Sequence, residues 1–284
     1  MTEIAKETHI GVVALNVSNL QRALAYYQDH LGFQVLEQGD GEVVLGAGRR
    51  RLLRLKEQPG AQRARRASGL YHFAILVPNR RELARILRHF AENETPLGGF
   101  SDHLVSEALY LSDPDGNGIE VYRDRPRSEW PYRDGRLMMA TDPLDIEDIL
   151  SELPAGDKSW DGLHEDTIIG HIHLHVSNIG REEHFYRDIL GFELITRYPP
   201  SASFLGAGGY HHHIGINTWA GEGVPPPPAD AVGLRWYTID LPSREARDAT
   251  LQRLQAAGIA VEPHEQGLFL RDTAGNGIVL RVTG

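Results

Sequence analysis

The stretch NVSNLQRALAYYQDHLGFQVL at residues 16–36 returns as HVSNIGREEHFYRDILGFELI at residues 175–195. Nine positions are identical at a constant offset of 159 residues, and they include the LGF near the end of each copy. Repetition at a fixed offset indicates that one supersecondary unit has been used more than once. The organisation of the whole chain follows from this repeat.

A second kind of unit also occurs twice. GLYHFAILVPNRREL at 69–83 resembles GLRWYTIDLPSREAR at 233–247, and SDPDGNGIEVY at 112–122 resembles RDTAGNGIVLR at 271–281. Each unit contains a β-rich run, a polar helix-capping residue, an amphipathic helix and shorter apolar runs separated by Gly, Asp or Asn turns. The pattern predicts four βαβββ modules, each of roughly 50–60 residues.

Composition narrows the classes of function. The 284 residues have 41% hydrophobic and 24% charged side chains and no apolar run long enough to span a membrane. The absence of cysteine excludes disulfides and thiolate metal ligands. A net charge of −10 argues against nucleic acid or an anionic membrane as partner. The first residues lack the apolar core of a signal peptide, so we expect a cytoplasmic protein.

Four βαβββ modules with LGF after the first and third helices resemble the vicinal-oxygen-chelate superfamily. This superfamily contains glyoxalase I, antibiotic-resistance proteins and extradiol ring-cleaving dioxygenases. The resemblance implies an α+β fold whose modules pair into two curved mixed sheets, with a divalent metal in the cup of a sheet. It predicts a first domain at 1–123 (modules 9–58 and 69–123), a connector at 124–165 and a second domain at 166–284 (modules 168–220 and 231–284).

The stretch HLVSEALYLSDPDGNGIE at 103–120 makes the resemblance more specific, because it is similar to the extradiol dioxygenase signature. The matching residues are His103, Leu109, Tyr110, Asp113, Pro114, Gly116 and Glu120. Ser101, two residues before the histidine, departs from the usual set at that place. The chain is most similar to the short bacterial catechol 2,3-dioxygenases of this superfamily.

The resemblance also locates candidate metal ligands, which the family takes from the first and last strands of its modules. His72 and His171 each lie five residues before the valine that ends a first strand, and Glu120 lies on a last strand. The first and fourth modules carry apolar residues at the corresponding places, namely Val12, Trp236 and Val279. We therefore predict that the second and third modules pair and hold a metal through His72, Glu120 and His171.

Further roles are implied by the same resemblance. His103 and Tyr110 would contact the hydroxyls of the substrate. A histidine late in the third module would act on O2 and transfer protons. Strand alternation in YHHHIGINTW at 210–219 places His211 and His213 on one face and His212 on the other. His213 is favoured, with His211 and His212 as alternatives.

These assignments predict an Fe(II)-dependent extradiol dioxygenase that cleaves catechol or a substituted catechol with O2. Mn(II) could replace iron, because two imidazoles and one carboxylate suit both metals. One alternative is a glyoxalase-type metal-dependent isomerase or lyase, with His213 as a further ligand. Another is a metal-free drug-binding resistance protein. The family often assembles, so a homo-oligomer is compatible with the sequence.

Overall fold

The structure is a computed structural model that describes residues 3–39 and 41–283. The outer ends of the two predicted domains, residues 1 and 284, lie outside the described residues. The predicted βαβββ order is found in all four modules. Within the described ranges no helix is long and apolar enough to cross a membrane.

The first two modules follow one another directly along the chain. The first consists of β1 (His9–Val17), α1 (Leu20–Asp29), β2 (Gln34–Gly39), β3 (Glu42–Ala47) and β4 (Arg50–Glu57). The second consists of β5 (Gly69–Leu76), α2 (Arg80–Glu92), β6 (Gly99–Asp102), β7 (Ser106–Ser112) and β8 (Gly118–Asp124).

A connector then leads to the last two modules. The connector contains a 3-10 turn (Arg127–Glu129), the short strands β9 (Tyr132–Arg133) and β10 (Arg136–Leu137), and α3 (Ile146–Leu150). The third module consists of β11 (Ile168–His175), α4 (Ile179–Glu183), a π-helix (His184–Ile189), β12 (Glu193–Tyr198), β13 (Ala202–Gly206) and β14 (Ile214–Asn217). The fourth consists of β15 (Gly233–Leu241), α5 (Arg244–Ala256), β16 (Glu262–His264), β17 (Gly267–Arg271) and β18 (Gly277–Val282).

The helices that open the repeated stretch begin at asparagine caps. The side chain of Asn19 accepts a hydrogen bond from the backbone N–H of Arg22, and Asn178 accepts one from Arg181. Both caps satisfy an N–H that would otherwise lack a partner at the helix start. The repeat therefore fixes where each helix begins, and hence where each first strand must end.

The modules pair as the distribution of ligands predicts. One eight-stranded sheet has the order β16-β17-β18-β15-β1-β4-β3-β2, and the other has the order β12-β13-β14-β11-β5-β8-β7-β6. The first strands meet antiparallel at the centre, β1 with β15 and β5 with β11. The first module thus shares a sheet with the fourth, and the second shares one with the third.

A tyrosine links each repeated helix to a turn in the opposite sheet. The hydroxyl of Tyr27 donates to Oδ2 of Asp113, and Tyr186 makes the same bond to Asp272. Asp113 also accepts the backbone and side-chain N–H groups of Asn117. These bonds hold the Asp-Pro-Asp-Gly-Asn-Gly turn, which sets the register of β8 and so the direction of Glu120.

Candidate metal centre and active-site cavity

Three adjacent strands bring the predicted ligands together above one small residue. Ala74 lies on the central strand β5, opposite His171 of β11 and beside Glu120 of β8. His72 precedes Ala74 by two positions and therefore points to the same face. The methyl group of Ala74 leaves the space above it free, so the three larger side chains can converge there.

The ligand atoms of these side chains form a tight triangle. Oε2 of Glu120 lies 3.0 Å from Nε2 of His72 and 3.1 Å from Nε2 of His171. The two Nε2 atoms are 3.3 Å apart. All three side chains are buried. Among the described residues, this is the one group of three or more potential ligands whose atoms lie within 4.8 Å of one another.

The spacing of this triangle agrees with a transition-metal site. Three ligands that bind a metal at about 2.1 Å and at right angles have neighbouring atoms about 3 Å apart. Two imidazoles and a carboxylate on one face form the donor set typical of non-haem iron(II) oxygenases. The residues present therefore fit a divalent iron or manganese ion.

Burial and neighbouring charges keep Glu120 and His171 in the protonation states that a metal requires. Burial alone would raise the pKa of Glu120, but His171 and His72 outweigh it and hold that pKa well below its ordinary value. Burial lowers the pKa of His171 to about 4, although Glu120 opposes this effect. At neutral pH the site therefore contains a carboxylate and a neutral His171 imidazole.

The other sheet has an apolar cluster at the corresponding positions. Val12, Trp236 and Val279 pack together there with Ala14. Ala14 pairs with Trp236 across β1 and β15, as His173 pairs with His72 across β11 and β5. The sheet of the first and fourth modules therefore has packed apolar side chains at the positions where the sheet of the second and third modules has nitrogen and oxygen ligands.

His103 and Tyr110 form a hydrogen-bonded pair beside the triangle. Tyr110 lies opposite Glu120 across β7 and β8, and its ring centroid is 5.8 Å from that of His72. Nδ1 of His103 lies 2.6 Å from the carbonyl oxygen of Ala140, and Nε2 lies 2.6 Å from the hydroxyl of Tyr110. A carbonyl only accepts, so the neutral ring donates from Nδ1 and accepts the Tyr110 proton at Nε2. Burial raises the pKa of Tyr110 well above its ordinary value, and the negative charge of Glu120 raises it further.

The three consecutive histidines lie in different surroundings, and the favoured His213 is not the one that lines the cavity. His213 lies outside the cavity, where its Nδ1 accepts the backbone N–H of Ala207 at 3.1 Å and its ring packs against Tyr210. His212 lines the cavity instead, with its ring centroid 4.1 Å from that of His171. Strand alternation did not apply, because β14 begins only at Ile214.

His212 is positioned by a chain of hydrogen bonds that runs through the buried His211 to the half-buried Asp124. Nε2 of His211 lies 2.8 Å from Oδ1 of Asp124, and the Nδ1 atoms of His211 and His212 are 2.9 Å apart. The Asp124 carboxylate only accepts, so Nε2–H of His211 donates to it, and in this tautomer Nδ1 of His211 accepts the Nδ1–H of His212. Nε2 of His212 is then left without a proton. Burial lowers the pKa of His212 well below its ordinary value, which favours this neutral form.

The triangle, the His103–Tyr110 pair and His212 all line one cavity of about 940 Å³. The connector forms part of its wall through residues 136–141. Phe204 and Trp219 also line it, whereas Trp236 belongs to the apolar cluster of the other sheet. Sequence patterns did not indicate the connector, because it reaches the cavity only through long-range packing.

The sequence matches a family model and is similar to the sequence of a named protein. The model of the glyoxalase/bleomycin resistance protein/dioxygenase superfamily matches residues 9–121 and 168–280. A protein of Bacillus subtilis (strain 168) named catechol-2,3-dioxygenase is 49% identical over 277 residues, covering 96% of both chains.

Solved structures show the same fold at low sequence identity. A Bacillus subtilis subsp. subtilis str. 168 structure superposes with a TM-score of 0.68 at 11% identity, covering 99% of this chain and 86% of that chain. Glyoxalase I from Zea mays gives a TM-score of 0.59 at 15% identity, covering 96% and 92%.

Proposed function

Because the chain belongs to the glyoxalase/bleomycin resistance protein/dioxygenase superfamily, we propose that it is an Fe(II)-dependent extradiol dioxygenase of catechol or a substituted catechol. The observation that carries the proposal is the convergence of His72, Glu120 and His171 beside the His103–Tyr110 pair in one cavity. The 49% identity to a protein named catechol-2,3-dioxygenase supports the same activity. O2 is the second substrate.

His72, Glu120 and His171 would hold the metal. Iron(II) held by these residues would bind and activate the catechol and O2, and manganese(II) would suit the same donors. An isomerase of the glyoxalase type would take a further ligand from His213, but that side chain lies outside the cavity. The dioxygenase proposal is therefore the better supported of the two.

Tyr110 and His103 would receive and hold a substrate proton. The hydroxyl of Tyr110 gives its hydrogen to Nε2 of His103, so its oxygen is free to accept a hydrogen bond from a catechol hydroxyl. A proton leaving the catechol could pass to Tyr110 while the Tyr110 proton moves to His103. The carbonyl of Ala140 stabilises the resulting imidazolium through Nδ1–H.

His212 would act on the other side of the cavity as the acid–base group. Its free Nε2 can take a proton from bound substrate and return it to the product. His211 and Asp124 would orient the ring and stabilise its protonated form through the Nδ1 contact. Phe204 and His171 pack against the ring and exclude water from it.

The activity itself can be tested directly. The protein is reconstituted with Fe(II) under anaerobic conditions, catechol and air are added, and the yellow ring-opened semialdehyde is followed by absorbance. Coloured product with O2 uptake of one molecule per catechol would support the proposal. Bound iron without product across catechols and hydroquinones would contradict it.

A first prediction concerns the His103–Tyr110 pair. His103→Ala is expected to retain bound iron and to lower kcat/KM for catechol by about 10²-fold, because a general acid–base group contributes 10²-fold or more. Tyr110→Phe should have a similar effect, and the double variant should lose little more, since both residues act through one hydrogen bond. Additive losses in the double variant would show that the two residues act independently.

A second prediction concerns the chain behind His212. Asp124→Asn is expected to lower kcat by about tenfold with little change in KM, because the amide no longer fixes the proton positions in His211 and His212. A steady-state comparison at saturating and limiting catechol separates the two constants. A change confined to KM would place Asp124 in substrate binding and contradict its role in orienting His212.

A further inference from the structure

We propose that the preferred substrate is a catechol that carries a bulky aromatic substituent, which lies along the aromatic wall between the metal centre and the cavity mouth. This inference rests on the proposed function and names the class of substrate for the same site. Three observations carry it: the size of the cavity, the position of exposed aromatic side chains, and the character of the connector wall.

The cavity is much larger than a single catechol ring needs. Its volume of about 940 Å³ lies at the upper end of the roughly 300–1,000 Å³ range of pockets that bury drug-sized ligands. A water molecule occupies about 30 Å³ in the liquid, so catechol alone would leave many waters against apolar side chains. A larger substituent would displace them and bury its own apolar surface.

Exposed aromatic side chains are concentrated at the cavity. Six large hydrophobic side chains of the described residues are exposed, and four of them line this cavity: Tyr71 (37%), Phe100 (40%), Tyr198 (67%) and Trp219 (50%). Isolated exposed hydrophobic residues are common on protein surfaces, but a group around one opening marks a binding surface. An aromatic ligand would cover these rings favourably.

The aromatic side chains form a continuous wall from the metal centre outward. The ring centroids of His72 and His173 are 5.0 Å apart, and those of His173 and Trp219 are 5.4 Å apart. Tyr71 packs edge to face against both His173 and Trp219, at 5.1 Å from each. A flat substituent on a catechol bound at His72 would find stacking partners over the whole distance to Trp219.

The connector closes the cavity with mostly apolar side chains. Leu137, Met138 and Met139 line this part, and methionine adapts readily to flat aromatic ligands. Among the described lining residues, Glu120 is the one acidic group, whereas arginines are present at positions 63, 136 and 197. Within the described part of the chain, the lining has no second acidic group to bind a cationic substituent. The apolar side chains therefore favour an aromatic substituent, and the charged lining disfavours a cationic one.

The test compares catechols that differ in one substituent. kcat/KM is measured for catechol, for both isomers of phenylcatechol and for a carboxylate-bearing catechol, and anaerobic binding of each is measured by calorimetry. We expect at least one phenylcatechol to exceed catechol by tenfold or more, since burial of a second ring readily contributes the corresponding ~1.4 kcal/mol. Equal or lower values for both phenylcatechols, or preference for the carboxylate, would overturn the inference.

The two proposals fail in distinguishable ways. Turnover of catechol without preference for a phenyl group would overturn only the substrate class. No turnover of any catechol would count against the proposed function, while the binding measurements would still decide whether the cavity prefers the aromatic substituent.

A variant and its control test the aromatic wall itself. Trp219→Ala should lower the phenylcatechol to catechol ratio of kcat/KM at least fivefold, an effect of ~1 kcal/mol that one aromatic pair can supply. Val35→Ala is the matched control, because Val35 is also exposed but lies on β2 of the other sheet. An unchanged ratio together with an altered sedimentation coefficient in Trp219→Ala would assign the mouth to contact with a second copy of the chain and overturn the inference.

Discussion

Glu120→Gln is expected to lose iron and ring-cleavage activity together. Glu120 supplies the one carboxylate of the triangle and the negative charge that offsets a divalent metal in a buried site. A neutral amide keeps the shape but is a much weaker ligand. Loss of an outer-shell partner alone weakens metal affinity by about 10–100-fold, so loss of this ligand should exceed 100-fold.

The measurement is iron content per chain after anaerobic reconstitution and desalting, together with the rate of product formation. Glu262→Gln is the matched control, because Glu262 is exposed on β16 of the other sheet and should retain both properties. A Glu120→Gln protein that keeps stoichiometric iron and wild-type turnover would mean that the metal binds elsewhere. Circular dichroism establishes that both variants are folded.

His212→Asn is expected to retain iron and to lose about 10²–10⁴-fold in kcat, the usual contribution of a positioned acid–base group. His212 faces the cavity and is not part of the triangle, so metal content should be unaffected. Asparagine can still donate a hydrogen bond to His211, but it has no imidazole nitrogen with which to take up a proton.

His213→Gln provides the comparison that decides between neighbouring histidines. Its ring packs away from the cavity, so this variant should keep most of the catalytic rate even if packing losses lower its melting temperature. Iron content, kcat and melting temperature are measured for both variants. A large loss of kcat in His213→Gln with wild-type rates in His212→Asn would reverse the assignment.

Much of the architecture could be predicted because the chain repeats itself. The copies at 16–36 and 175–195 gave the modules, and the uneven distribution of His72, Glu120 and His171 gave their pairing. This inference was possible because alternate side chains of a β-strand point to opposite faces. Once the end of a strand is known, the face to which each of its side chains points is known as well. The same alternation predicted that Val12, Trp236 and Val279 occupy the corresponding positions in the other sheet.

The remaining part of the site depends on irregular backbone and long-range contacts. Gly208 and Gly209 both have positive φ values, of 59° and 70°, and they lead into residues 211–213 before β14 begins. Alternation holds for extended, paired strands, so it could not decide which histidine faces the cavity. The approach of Ala140 to His103 joins positions 37 residues apart, and no local pattern encodes that contact.

We propose that the second and third modules together hold a catalytic iron through His72, Glu120 and His171. The most direct measurement is anomalous diffraction at the iron absorption edge from anaerobically grown crystals of the Fe(II)-loaded protein. We predict one strong peak per chain within bonding distance of both Nε2 atoms and the Glu120 carboxylate. A peak held by residues of one module, or a peak in the sheet of the first and fourth modules, would contradict the account.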